Sequence, residues 1–178
     1  MEQKYDRRVF SDGELIFAEG ARAGEAYLIE RGRVRLHKNE NGRDHVIDTI
    51  GPKQIFGEMG VISDMNRMAS ATAVGDVSLI CCHRVELQQR VNELDKDRRD
   101  ALRFLIVYCQ EFIPFELMKN RPEDKETQEL DGIALRLLRE AKKTGAFDGL
   151  DPFLSGLYKV LIGYTERRIP PQLMESEE

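Results

Sequence analysis

The sequence predicts an α+β chain, a β-sandwich or jelly roll followed by an α-helical region, and three observations carry that prediction. Strand-like runs punctuated by glycine recur about every ten residues over 9–83, the pattern of an all-β sandwich or roll. Asn41-Gly42 lies between two such runs, a strong short-range hairpin signal. Near Arg84 the apolar period changes from that of a strand to that of a helix. The expected division is residues 1–95 for the jelly-roll domain and 96–178 for the helical region, ending in a disordered acidic tail at Glu175–Glu178.

In the first half, Leu15–Phe17, Ala26–Ile29, Val34–Leu36, Val46–Ile50, Thr72–Val74 and Val77–Cys82 are predicted strands. Gly13, Gly20, Gly24, Gly32 and Gly51-Pro52 are read as turns between them. A short helix should hold Val85, Leu87, Val91 and Leu94. The next, over 97–113, carries Leu102, Leu105, Cys109 and Phe112 on one face, and Pro114 should stop or kink it. A polar break over 116–124 precedes a helix over 125–144, burying Leu130, Ile133, Leu137, Leu138 and Ala141, with Gly145 as its C-terminal cap. Asp151 and Pro152 suit the N-cap and first position of a last helix that buries Phe153, Leu157, Leu161 and Tyr164.

Composition narrows the function. Hydrophobic residues make up 41% and charged residues 33%, enough for a packed core. No apolar run reaches the ~20 residues of a membrane span, and the N-terminus has no signal core, so a cytoplasmic location without membrane contact is expected. The net charge of −5 divides into −2 over residues 1–89 and −3 over 90–178; neither half has the basic excess of a nucleic-acid binder. Cys81, Cys82 and Cys109 are odd in number and lack metal-ligand spacing, which favours buried thiols over disulfides or a zinc site.

The chemistry concentrates between Gln54 and Ala73. Gly57-Glu58 opens a short apolar helical turn, a polar loop follows, and Arg67 comes nine residues after the glutamate. Gly57 and Gly60 allow backbone to approach a ligand. Arg67 can fork two donors onto a phosphate, and Glu58 can accept from sugar hydroxyls. One anion site beside one hydroxyl-reading carboxylate is what a ribose phosphate requires.

These residues resemble the cyclic-nucleotide-binding domain family, which includes the ligand domains of the catabolite activator protein and of protein kinase A regulatory subunits. The resemblance covers about residues 9–95: Gly13-Glu14-Leu15-Ile16-Phe17-Ala18-Glu19-Gly20, then Tyr27-Leu28-Ile29 with Gly32 and Val34, then Phe56-Gly57-Glu58 with Arg67 at the family's distance. It implies a phosphate-binding cassette in which Arg67 pairs with the cyclic phosphate and Glu58 accepts from the ribose 2′-hydroxyl. Backbone around Met59, Gly60, Met68 and Ala69 would complete the cradle beside Phe56. Met68 stands where the family often has Ala, Ser or Thr; the missing hydroxyl leans toward cAMP over cGMP, and its bulk bears on affinity. Gly60 stands where alanine is common in the family, a difference expected to be tolerated.

No enzyme is predicted. His37, His45 and His83 have no metal-ligand spacing, Ser11, Ser63 and Ser70 have no nucleophile elbow, and Asp95, Asp97 and Asp100 lack the glycine and terminal glutamate of a calcium loop. No cofactor is expected beyond the ligand itself, cAMP or cGMP. Residues 115–178 show no recognition helix or wing hairpin, so DNA is not an expected partner. The seam Leu102–Leu105–Cys109–Phe112 packs either within the chain or on a twin helix, and a homodimer with an unknown protein partner is expected. The leading reading is a cyclic-nucleotide sensor. The alternatives are an interaction protein that keeps the fold without binding nucleotide, and a transcription regulator with a divergent helical end.

Overall fold

The computed structural model describes residues 5–40, 42–118 and 124–169. The chain divides into two compact units, residues 1–89 and 90–178.

The first unit is one antiparallel sheet of six strands built around two long ones. β1 (Asp6–Phe10), β2 (Leu15–Phe17), β3 (Glu25–Glu40), β4 (Arg43–Ile50), β5 (Ile55–Phe56) and β6 (Ser70–His83) follow in order, with the short helix α1 (Glu58–Ile62) between β5 and β6. β3 and β6 pair along most of their length, from Glu25↔His83 to His37↔Ser70. β1 joins β6 at Val77–Cys81 and β2 joins it at Ala71–Thr72. β4 joins β3 from Val34 to Glu40, and β5 joins it at Tyr27–Leu28. Glu40 pairs with Arg43, so the chain reverses between β3 and β4 where the sequence places a hairpin; Asn41 itself lies outside the described residues.

Two separations expected from sequence are absent. Ala26–Ile29 and Val34–Leu36 belong to one strand, β3, and Thr72–Val74 and Val77–Cys82 belong to one strand, β6. The glycines between them mark irregular pairing within the ladder, not chain reversals. Alternation explains why β3 needs one. Ile29 and Val34 both face the core, yet they are an odd number of residues apart, so the pleat must change phase between them. Gly32 makes the change with φ +86, where a Cβ would lie 2.4 Å from the Asp76 carbonyl oxygen. The core so formed holds Tyr27, Ile29, Val34, Phe56, Val77, Leu79 and Cys81. Cys81, Cys82 and Cys109 are all buried and outside any disulfide, and burial pushes the Cys81 thiol up to about 12.

The helices that follow are α2 (Arg84–Asn92), α3 (Lys96–Met118), α4 (Lys125–Thr144) and α5 (Pro152–Arg168). α2 buries Leu87 and Val91 but exposes Val85, which the sequence placed with them. α3 continues through Pro114; a proline removes one backbone hydrogen bond, and here that loss does not end the helix. Within the second unit, Leu102, Leu105 and Cys109 are buried, and α3 packs on α4 and α5. The seam therefore packs on the chain's own helices; the side chain of its last member, Phe112, lies outside the described residues. On α4 the buried stripe is Thr127, Asp131, Ala134, Leu138 and Ala141, and Leu130, Ile133 and Leu137 are only half-buried. Buried Asp131 explains the rotation of the stripe: its carboxylate accepts from the Tyr108 hydroxyl at 2.5 Å, which a purely apolar reading of the helix does not see. Gly145 caps α4 with φ 62, and Asp151 caps α5 by accepting from the amides of Phe153 and Leu154. No described helix is long and apolar enough to cross a membrane. The expected acidic tail lies outside the described residues.

Candidate functional site

The site is built where β5 ends. Phe56 pairs with Tyr27 across the β3–β5 ladder, and Gly57 then turns the chain with φ 71 into α1. A side chain at Gly57 would be strained, and its Cβ would lie 2.6 Å from Arg67 Nη1. The turn thus brings the backbone onto the arginine. Arg67 donates from Nη1 to the Gly57 carbonyl at 2.7 Å and from Nη2 to the Glu25 carbonyl at 2.7 Å. Its own backbone is fixed to the turn after β2, through Arg67 N to Ala21 O and Gly20 N to Arg67 O, both 2.8 Å.

Arg67 is only 6% exposed, which is rare for an arginine. Its guanidinium lies 4.0 Å from the Phe17 ring centroid and 5.6 Å from that of Tyr27. Phe17, Tyr27 and Phe56 stack on one another with centroids 5.2–5.8 Å apart, giving the charge an aromatic floor. Burial lowers the Arg67 pKa, opposed by Tyr27, Glu25 and Glu58; arginine stays charged through such a shift. Nε is buried without a hydrogen-bond partner. A buried cation with an orphaned donor is costly unless an anion completes its surroundings. Glu58, the first residue of α1, is 3% exposed, and its charge favours the charged form of Arg67.

Beneath this layer, the Glu25 carboxylate accepts from Arg8 at 2.6 and 2.8 Å and from the Tyr27 hydroxyl at 2.5 Å. Burial alone would raise the Glu25 pKa, but these bonds outweigh it and hold the carboxyl below its usual range. Glu25 thus supports Arg67 through its main chain and locks Tyr27 through its side chain.

Residues 7–93 match the family described as the cyclic nucleotide-binding domain. The chain also aligns with 97% of a solved chain of the EAL enzyme Bd1971 in a half-site-occupied form, at 30% identity and a TM-score of 0.58, over 61% of its own length. The chain belongs to the cyclic nucleotide-binding domain family. The domain is similar to the cyclic AMP receptor protein of Thermus thermophilus, 32% identical over 91 residues that make up 51% of this chain and 42% of that protein. It is also similar to the cAMP-dependent protein kinase regulatory subunit of Dictyostelium discoideum, 29% identical over 48% of this chain and 26% of that one. This chain therefore spans less than half the length of either relative.

Within the domain, the structure gathers Phe56, Gly57, Glu58, Met59, Gly60 and Arg67 around α1, most of them buried. Met68 and Ala69 are half-buried in the bend that leads into β6. Gly60 has a local reason to be glycine: a Cβ there would lie 2.3 Å from the Ala23 Cβ. Sequence reasoning treated Phe17 and Tyr27 as strand residues and passed over Glu25 and Arg8. Alternation along β3 can place Tyr27 inward, on the same face as Ile29. Nothing local marks the Glu25 carbonyl or the Arg8 pairing, because both depend on which strands lie side by side.

Proposed function

We propose that this chain is a regulatory sensor whose first unit binds a cyclic nucleotide, cAMP in preference to cGMP. The carrying observation is Arg67: buried, seated on an aromatic floor, bonded to Gly57, and left with an unpartnered Nε. In this reading Arg67 supplies the charge for the cyclic phosphate, Glu58 accepts from the ribose, and the backbone from Met59 to Gly60 and at Met68–Ala69 lines the cradle beside Phe56. Met68 brings no hydroxyl with which to read guanine. The role is binding, with no catalytic step assigned. Buried cysteines outside any disulfide suit a reducing cytoplasm. Self-association would need a face other than the buried part of the α3 seam.

The test is calorimetric titration of the full chain with cAMP and cGMP, alongside Arg67→Ala. We expect micromolar or tighter binding of cAMP, weaker binding of cGMP, and a loss of about 100-fold or more in the variant, as for a charged hydrogen bond and its ion pair. One observation favours a second reading. Both Nη atoms of Arg67 are already bonded to main-chain carbonyls, as suits a fold kept for protein contact. No heat and no thermal shift with either nucleotide would select that reading and reject the first.

A further inference from the structure

Gly60, whose backbone belongs to the proposed cradle, is held from outside the cassette. Arg84, the first residue of α2, donates from Nη2 to the Gly60 carbonyl at 3.1 Å. The same Nη2 lies 2.8 Å from the Asp64 carboxylate. One guanidinium therefore spans the end of α1 and the loop beyond it. α1 has five residues and no basic residue in its last turn, so its own sequence offers no cation to its C-terminal carbonyls. Arg84 supplies one from the far end of β6. Asp64 takes up the other side of the contact with φ 53, a left-handed conformation uncommon for a residue other than glycine.

The ion pair itself is weak support, because the Asp64 side chain is 83% exposed and the charges are screened by solvent. The bond to the Gly60 carbonyl has a different consequence. Movement of α1 by about 1 Å away from Arg84 would break it, since hydrogen bonds fade beyond ~3.5 Å. Arg84 is also fixed through its main chain, whose N–H donates to the Gly24 carbonyl at 3.2 Å. The division between the two units falls after Gln89, within α2. The helix that carries Arg84 is thus the segment through which the chain leaves the domain.

We propose that Arg84 is the positioning residue that couples the cassette to α2: through the Gly60 carbonyl it holds α1 in its binding orientation and transmits the position of α1 to the helix leading out of the domain. This rests on the reading of the cassette as a nucleotide site.

The test uses the full chain with Arg84→Gln, Arg84→Lys and Asp64→Asn. Calorimetry with cAMP is paired with hydrogen exchange of the amides in α1 and α2, with and without cAMP. Arg84→Gln should weaken binding about 10-fold, the effect of a single lost hydrogen bond from a charged donor. In the same variant, cAMP should still slow exchange in α1 but no longer change it in α2. Arg84→Lys should restore most of both effects. Asp64→Asn, which leaves the carbonyl bond in place, should change affinity by no more than about 3-fold, as for an exposed pair. If Arg84→Gln binds cAMP like the parent, or still passes the exchange response to α2, the coupling is overturned while the nucleotide site stands. If the parent chain takes up no cAMP, both fall together. If Arg84→Gln is unfolded by circular dichroism, the Arg84→Lys and Asp64→Asn variants decide: the coupling stands only if Arg84→Lys binds within about 3-fold of the parent and still passes the response to α2.

Discussion

Replacing Gly60 with alanine tests whether α1 is seated as tightly as its surroundings indicate. The added methyl would lie 2.3 Å from the Ala23 Cβ and 3.2 Å from the Met65 carbonyl oxygen. Carbon atoms rest at about 3.5–4.0 Å, so the two backbones must part by more than ~1 Å. Ala23 is 6% exposed, and the turn before it is tied to Arg67 by two hydrogen bonds of 2.8 Å, so neither side yields freely. Overpacking of this kind costs about 1–3 kcal/mol. Helix propensity works the other way and would favour alanine by up to about 1 kcal/mol, so a net loss isolates the steric effect. The companion change Ala23→Gly vacates the space and by itself should cost about 0.5–1 kcal/mol in backbone entropy. Urea unfolding of the parent, both single variants and the double variant completes a double-mutant cycle, with cAMP affinity as a second reading of the position of α1. The double variant should recover most of the stability and affinity that Gly60→Ala loses. A Gly60→Ala chain as stable as the parent, or a double variant whose losses simply add, would refute the close packing of α1 on Ala23.

Glu25 gives a pH dependence with a definite sign. Its folded-state pKa is depressed, so its contribution is present above the unfolded carboxylate range and is lost as pH falls through the folded value. Thermal midpoints of the parent and Glu25→Gln should therefore differ near neutral pH and converge as pH falls below the usual carboxylate range; a gap independent of pH would remove Glu25 as the group responsible. In the second unit, Asp151 caps α5 and also accepts from Arg90 at 3.2 Å, and Arg90 is 5% exposed. Asp151→Ala removes the cap and one partner of that cation, so it should destabilise the chain by about 2 kcal/mol or more in urea. Asp151→Asn, which keeps a capping oxygen, should recover part of the loss, and equal losses for both variants would count against the cap.

What the sequence determined by itself was local. The place where β3 turns back into β4, the Gly145 and Asp151 caps and the bounds of α4 depend on a few adjacent residues whose backbone preferences suffice. The spacing of Glu58 and Arg67 singled out the stretch that the structure gathers around α1, because only the rest of one short helix and one loop separate them. What needed tertiary structure was every feature set by neighbours distant along the chain. Gly32 reads as a turn in isolation, but the pairing of β3 with β6 makes it a change of phase within a strand. The α3 seam reads equally as a dimer face or an internal face, and only the positions of α4 and α5 bury Leu102, Leu105 and Cys109 within the chain. The surroundings of Arg67 come from Phe17, Glu25, Tyr27 and Gly57 on different elements, and the hold on Gly60 comes from Arg84 beyond β6. A side chain's chemistry is written at its own position, but its burial, and the carbonyl its donor meets, are decided by which strands lie side by side.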